Sequence, residues 1–225
     1  MKINQNNYVF RGSAEYLSDY KTPPLNDAAA DLIERALKAE DSPLYVVGIG
    51  AITNIASAIL IEPKIINRIV VVWLGGHALN WQDTKEFNLM QDVPASRIIF
   101  DCGVPLVHIP CQGVVSHLHT ILPEIEKYVR GKGAIGDYLA GIFRDFYKDH
   151  YARSKVLWDI APIAYLINDL WVQTELIHSP LITDNVTWDF DNSRHLIRSA
   201  FKVNRDPIFR DLFRKLSSYT ERDID

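Results

Sequence analysis

The chain has 225 residues, 48% of them hydrophobic and 23% charged, with a formal net charge of −4. That length supports one ordinary domain with a sizeable core, and the charge balance argues against a nucleic acid or an anionic membrane as partner. No apolar run approaches the ~20 residues of a membrane span, the opening MKINQNNYVF has no apolar signal-peptide core, and Cys102 and Cys111 fit packed thiols of a reduced, cytoplasmic protein.

Residues 1–25, with Gly12, Pro23 and Pro24, read as an irregular lead-in. Asn26 and Asp27 cap a helix from Ala28 to Ala39, whose face is Ala29, Leu32, Ile33 and Leu37. Ser42-Pro43 ends it. Leu44 to Ile49 is a short buried strand, and the turn Gly50-Ala-Ile-Thr-Asn54 leads to a helix from Ile55 to Leu60. The apolar run from Arg68 to Gly76 then stops at two glycines. It reads as a buried parallel strand that delivers Leu74 into a loop. The loop carries Asn80, Asp83, Glu86 and Asn88, and Asp92 caps a helix from Val93 to Cys102 with Gly103 as its C-cap. Pro105 to Pro110 is the next strand. This βαβαβ rhythm predicts an α/β fold, a Rossmann-like, mostly parallel sheet with flanking helices.

Farther on, His117 and His119 stand two apart where the chain is read as entering a helix through Leu118, Ile121, Leu122 and Ile125. There such side chains diverge, and no zinc site is expected. Gly131 to Gly136 reads as a flexible link. Tyr138 to His150 is an amphipathic helix with Leu139, Ile142, Phe143 and Phe146 on its packed face. Asp159 opens an apolar helix with Pro162 in its first turn. Trp171 to Ile177 and Val186 to Phe190 alternate like antiparallel edge strands, and Asp206-Pro207 begins a last helix from Ile208 to Leu216.

In open α/β sheets, ligands bind outside the carboxyl ends of the strands. The two amides and two carboxylates of the Asn80–Asn88 loop suit a polyhydroxylated ligand, although polarity alone favours a merely solvated loop. Thr53 and Asn54 lie at the same edge, where by themselves they read as a helix-capping turn. His77 follows the glycine pair nearest that edge.

The glycine pair followed by Asn80, Glu86-Phe87-Asn88 and Asp92 resembles the ribose-binding loop of the inosine–uridine-preferring nucleoside hydrolases. Gly48-Ile-Gly-Ala-Ile-Thr-Asn-Ile-Ala56, Trp158-Asp-Ile-Ala161 and the C-terminal RDPIFRDLFRKL fit the same family in the same order. The resemblance runs from about Val9 to the end and implies one domain over residues 1–225. It implies a ribonucleoside N-glycosidase that cleaves nucleosides to ribose and base, with calcium as cofactor and a nucleoside or ribose as partner. By the same resemblance, Leu74, Asn80, Glu86, Asn88 and Trp158 bind substrate. The metal ligands are the Thr53 backbone carbonyl and Asp159. Phe146, Tyr147 and Tyr151 fall in a region near the pocket mouth. Many members carry histidine immediately before the aspartate, as acid for the departing base. Here Trp158 stands there, and indole can stack on a base but cannot protonate it.

The family's aspartate cluster, DxDxxxDD after the first strand, supplies most of the calcium site and the general base. This sequence contains no such motif, so no catalytic residue is identified. Calcium binding is expected to be poor, and hydrolysis slow or absent. The missing part corresponds to about two βα units, roughly 60–80 residues. Its absence leaves Val70–Trp73 or Leu44–Val47 as an open sheet edge, which implies a homo-oligomer or a completing N-terminal segment. The alternative is a non-catalytic nucleoside- or ribose-binding remnant, or a subunit of an assembly.

Overall fold

In a computed structural model of the chain, residues 8–219 are described. Asn26 accepts from the Ala29 N–H at 2.8 Å and starts α1 (Asp27–Lys38), which buries Ala29 and Ala36 completely. On its outer face Arg35 pairs with Asp31 and Lys38 with Glu34, each one turn apart. There follow β1 (Leu44–Gly48), α2 (Thr53–Ile61), β2 (Ile69–Leu74), α3 (Phe87–Gln91), α4 (Val93–Asp101) and β3 (Leu106–Ile109). The chain continues through β4 (His119–Thr120), α5 (Leu122–Tyr128), α6 (Gly133–Phe146), β5 (Lys155–Val156) and α7 (Ile160–Ile167). It ends with β6 (Val172–His178), β7 (Leu181–Ile182), β8 (Trp188–Asp189), β9 (Leu196–Val203) and α8 (Arg205–Tyr219).

The main sheet runs β1-β2-β3-β9-β6. β1 to β2, β2 to β3 and β3 to β9 are parallel, with Gly48 opposite Trp73, Leu74 opposite Ile109, and His108 opposite Ser199. β2 lies inside the sheet and is buried on both faces, which is why it is an unbroken apolar run. At the far edge, Ser179 N–H bonds to His195 O and Asn204 N–H to Trp171 O. Residue numbers therefore rise on one strand as they fall on the other, and β6 runs antiparallel to β9.

The chain folds as two compact units. The first takes in residues up to Val114 together with Thr174–Phe201; the second is Val115–Gln173 with the residues from Lys202 onward. The core of the first gathers Ile52, Ile59, Ile69, Trp73, Phe100 and Ile197 among others. The core of the second is Ile125, Val129, Ala140 and Phe143, with Leu157, Phe213 and Leu216 packed against it.

Several elements differ from the sequence reading. β9 was not foreseen, although it links β3 to β6. The chain after Val114 does not enter a helix at once: Val115–His117 is a 3-10 turn and His119 lies in β4, so α5 starts only at Leu122. The expected link at Gly131–Gly136 is largely the start of α6. A Cβ on Gly136 would sit 2.4 Å from the Val129 carbonyl oxygen, so this glycine serves a close helix approach rather than freedom of the chain. Of the two strands proposed as the open edge, β2 is paired on both sides and β1 is the edge.

Candidate functional site

The end of β2 is built by its glycines. A Cβ on Gly75 would meet the Trp73 ring at 2.5 Å, and Gly76 has φ +71°. Trp73 is fully buried, and its indole N–H donates to the Gly50 carbonyl at 3.1 Å, which ties β2 to the turn after β1. The chain can then fold back so that Gly76 N–H donates to Glu86 Oε2 at 3.0 Å.

Glu86 is 8% exposed and receives two more backbone N–H groups, Asn88 on Oε1 at 2.9 Å and Leu89 on Oε2 at 3.1 Å. It is thus the N-cap of α3, a five-residue helix within the expected loop. Asn88 is equally buried and donates from Nδ2 to the Leu74 carbonyl at 2.9 Å, which leaves its Oδ1 and second N–H for a partner. Asn80 is exposed at a turn, and Asp83 accepts from the Lys85 N–H. Glu86, Asn88 and the Leu74 carbonyl are therefore brought together under the end of β2, while Asn80 stands in solvent. Trp81, 45% exposed, meets His77 edge-on at 6.2 Å. Burial lowers the His77 pKa below its ordinary value although Glu86 and Asp83 pull the other way, so the ring is neutral at pH 7.

One turn over, Asp92 is the hub. Its Oδ2 accepts from Thr53 Oγ1 at 2.6 Å and from Leu17 N–H at 3.0 Å, and its Oδ1 caps α4 through Ala95 N–H at 2.9 Å. The lead-in is thereby fixed to the sheet edge, helped by Asn54 Oδ1, which accepts from Ser13 N–H at 2.9 Å. The Thr53 side chain is engaged by Asp92. Thr53 is the first residue of α2, and a carbonyl there is directed to the N–H four residues on.

His108, Thr84 and Trp188 were not singled out from the sequence. His108 is fully buried in β3, with Nε2 2.9 Å from the Gly75 carbonyl and Nδ1 3.1 Å from Ser199 Oγ. Burial pushes its pKa down to about 4. Thr84 Oγ1 accepts from His77 N–H, and Trp188 donates its indole N–H to the His77 carbonyl. A histidine inside the four-residue apolar strand LVHI was the available signal, because a buried imidazole demands partners.

In the second unit, Trp158 is half-buried and Asp159 is exposed. Asp159 occupies the N-cap position of α7, as expected, but its side chain makes no capping hydrogen bond. Phe146, Tyr147 and His150 form an edge-to-face aromatic group. Tyr151 is 87% exposed. Among the described residues, no group of three or more His, Cys, Asp or Glu side chains is arranged to hold a metal ion. No helix among them is long and apolar enough to cross a membrane.

The mostly parallel sheet with flanking helices defines an α/β protein of the open-sheet class, with its polar loop fixed at the carboxyl end of an inner strand. The family model described as inosine-uridine preferring nucleoside hydrolase matches residues 7–208. The chain belongs to that family. It is 29% identical over 144 residues to the pyrimidine-specific ribonucleoside hydrolase RihA of Klebsiella pneumoniae, a match covering 62% of this chain and 45% of that protein. It is 30% identical over 177 residues to the inosine-uridine preferring nucleoside hydrolase of Leishmania major, covering 74% and 55%. A solved structure of the purine-preferring ribonucleoside hydrolase from Gardnerella vaginalis aligns with a TM-score of 0.72 at 19% identity, over 88% of this chain and 67% of that one. The chain spans about half the length of the curated relatives it matches.

Proposed function

We propose that this chain carries the ribose-binding part of a ribonucleoside N-glycosidase and that, by itself, it hydrolyses nucleosides slowly or not at all. The reaction adds water at C1′ of the ribose, breaks the C1′–N bond and sends a proton to the base nitrogen. The observation that carries the reading is the fixed placement of Glu86 and Asn88 under the end of β2, bonded to Gly76 N–H and the Leu74 carbonyl. Pre-set polar groups of this kind orient sugar hydroxyls without losing side-chain entropy on binding. Asn88 offers Oδ1 and one N–H, Glu86 a remaining acceptor position, and Asn80 an exposed amide.

Calcium is the cofactor the family resemblance implies, with the Thr53 carbonyl and Asp159 as the residues assigned to it. The carboxylates at the sheet edge do not fit that ion. Glu86 already accepts three backbone N–H groups, and Asp92 accepts two N–H groups and a hydroxyl. Calcium takes 6–8 oxygen ligands, and these two carboxylates are committed to the fold. This engagement of the carboxylates favours the second reading, a nucleoside- or ribose-binding protein without catalysis. A cytoplasmic location and a homo-oligomer, or completion by a further segment, belong to the same proposal.

The test is a ribose titration followed by amide NMR, with base release from inosine and uridine measured in parallel. Saturable shifts at Gly76, Asn88 and Leu89, lost in Asn88→Ala, are expected. Absence of shifts at these amides would overturn the site. Base release at an enzyme-like rate would overturn the slow-hydrolysis half alone.

A further inference from the structure

We propose that the cleft between α5 and α8, within the second unit, binds a small anion carrying two linked phosphate groups. The cleft encloses about 650 Å3. Its lining holds five cations, Lys127, Lys132, Arg205, Arg210 and Arg214, and two carboxylates, Glu124 and Asp206. Both carboxylates are taken by one cation: Arg205 pairs with Glu124 and with Asp206, and also donates to the His119 carbonyl. Lys127, Lys132, Arg210 and Arg214 have no carboxylate partner among the described residues. Cations just outside the lining do, since Arg130 and Arg144 share Glu126 and Lys215 pairs with Asp211. In a chain of net charge −4, four cations without a carboxylate partner among the described residues, gathered in one concavity, repel one another and focus a positive potential there.

The aromatic residues decide what kind of anion fits. Tyr128 and Phe213 stack on each other with centroids 5.4 Å apart, and Lys127 Nζ lies 5.2 Å from the Tyr128 centroid. Arg205 covers Phe209 at 4.2 Å. Tyr128 is thus already engaged by a ring and by a cation. Recognition falls to the charges. Arg210 and Arg214 stand one turn apart on α8, so two guanidinium forks can each take one phosphate, with Lys127 and Lys132 adding charge from the opposite wall. Inorganic pyrophosphate and a nucleoside diphosphate share this chemistry and should bind alike. The inference is independent of the ribose site.

The experiment is isothermal titration of the full chain with inorganic pyrophosphate, repeated with ADP and with anionic phospholipid vesicles. One saturable site is expected for pyrophosphate. ADP should match it within a few-fold. Arg210→Gln with Arg214→Gln should weaken binding at least about tenfold, the loss of one charge-assisted hydrogen bond or more. Lys215→Gln, on the same helix but paired and outside the lining, should leave it unchanged. Should the double variant fail to fold by circular dichroism, Lys132→Gln serves as the second variant, with a smaller loss in the same direction. No saturable heat would overturn the proposal, as would equal weakening in Lys215→Gln or an unaffected double variant. Binding to vesicles without binding to pyrophosphate would transfer the cleft to a lipid surface and overturn the small-anion assignment.

Discussion

His108 Nε2 lies 2.9 Å from the carbonyl oxygen of Gly75. A carbonyl only accepts, so Nε2 carries the proton, and Nδ1 accepts from the Ser199 hydroxyl at 3.1 Å. One neutral imidazole on β3 thereby holds the turn that ends β2 and clasps β9 on its other side. Phe100 and Trp188 meet the ring edge-on at 5.3 and 5.5 Å and keep water out. The polar loop that follows Gly75 is thus positioned by a fully buried residue.

This clasp should make the fold acid-sensitive. The folded pKa of His108 is about 4, against 6.5 for the unfolded group. Between those values the unfolded chain takes up a proton that the folded chain refuses. The stabilisation is therefore complete above pH 6.5 and shrinks as pH falls towards 4, by about 3 kcal/mol in all. Urea midpoints at pH 7.5 and 4.5 should separate more for the native chain than for His108→Gln. Identical pH dependence in the two proteins would show that His108 does not govern it.

What could be read from the sequence follows physical strength of signal. β2 falls inside the Arg68–Gly76 run, because a strand buried on both faces gives an unbroken apolar stretch such as Ile69–Leu74, and the glycine pair marks its end. The glycine pair and the Glu86–Asn88 segment were correctly set at its end. α3 was missed because five residues show no helical period, and Glu86 was read as a ligand group while it also caps a helix. β9 was missed because Arg198 and Lys202 interrupt its apolar residues, so it reads as surface, although Ile197 and Ala200 within it are core. His108 and Asp92 are hubs of tertiary hydrogen bonds. Partners up to 91 positions away leave no local trace.

Asp92 should be the most costly carboxylate in the first unit to remove. It is 2% exposed and holds the lead-in, Thr53 and α4 at once. Asp92→Ala loses a helix cap and strands a buried hydroxyl and N–H, an expected loss of about 2–4 kcal/mol in chemical denaturation. Thr53→Val removes one of the three bonds and should lose about 1 kcal/mol. A loss in Asp92→Ala no larger than in Thr53→Val would contradict the hub.

β1 should exchange its amides unevenly. It ends the sheet, with β2 on one side only, and Tyr45 and Ile49 remain about half exposed. Leu44 N–H bonds to Arg68 O, towards β2. In a parallel ladder alternate residues turn to opposite sides, so Val46 also faces β2 while Tyr45 and Val47 face the open side. Hydrogen exchange at Tyr45 and Val47 should be faster than at Val46, and it should slow as concentration rises if the edge pairs with a second copy. Equal protection along β1 would mean that the edge is already covered.

Calcium should bind weakly to this chain. An ion that wants 6–8 oxygens needs carboxylates with lone pairs to give. At the sheet edge the two buried ones are already engaged, Glu86 by Gly76, Asn88 and Leu89 and Asp92 by Leu17, Thr53 and Ala95. Recruiting either would break a helix cap, at about 1 kcal/mol or more for the cap alone. Calorimetric titration should therefore show no micromolar site, and calcium should not raise the thermal midpoint. A micromolar site accompanied by loss of the Asn88 and Leu89 amide protection would mean that Glu86 leaves its cap to take the ion. The same affinity with those amides still protected would assign the ion to other oxygens, with Asp159 the first to replace by alanine.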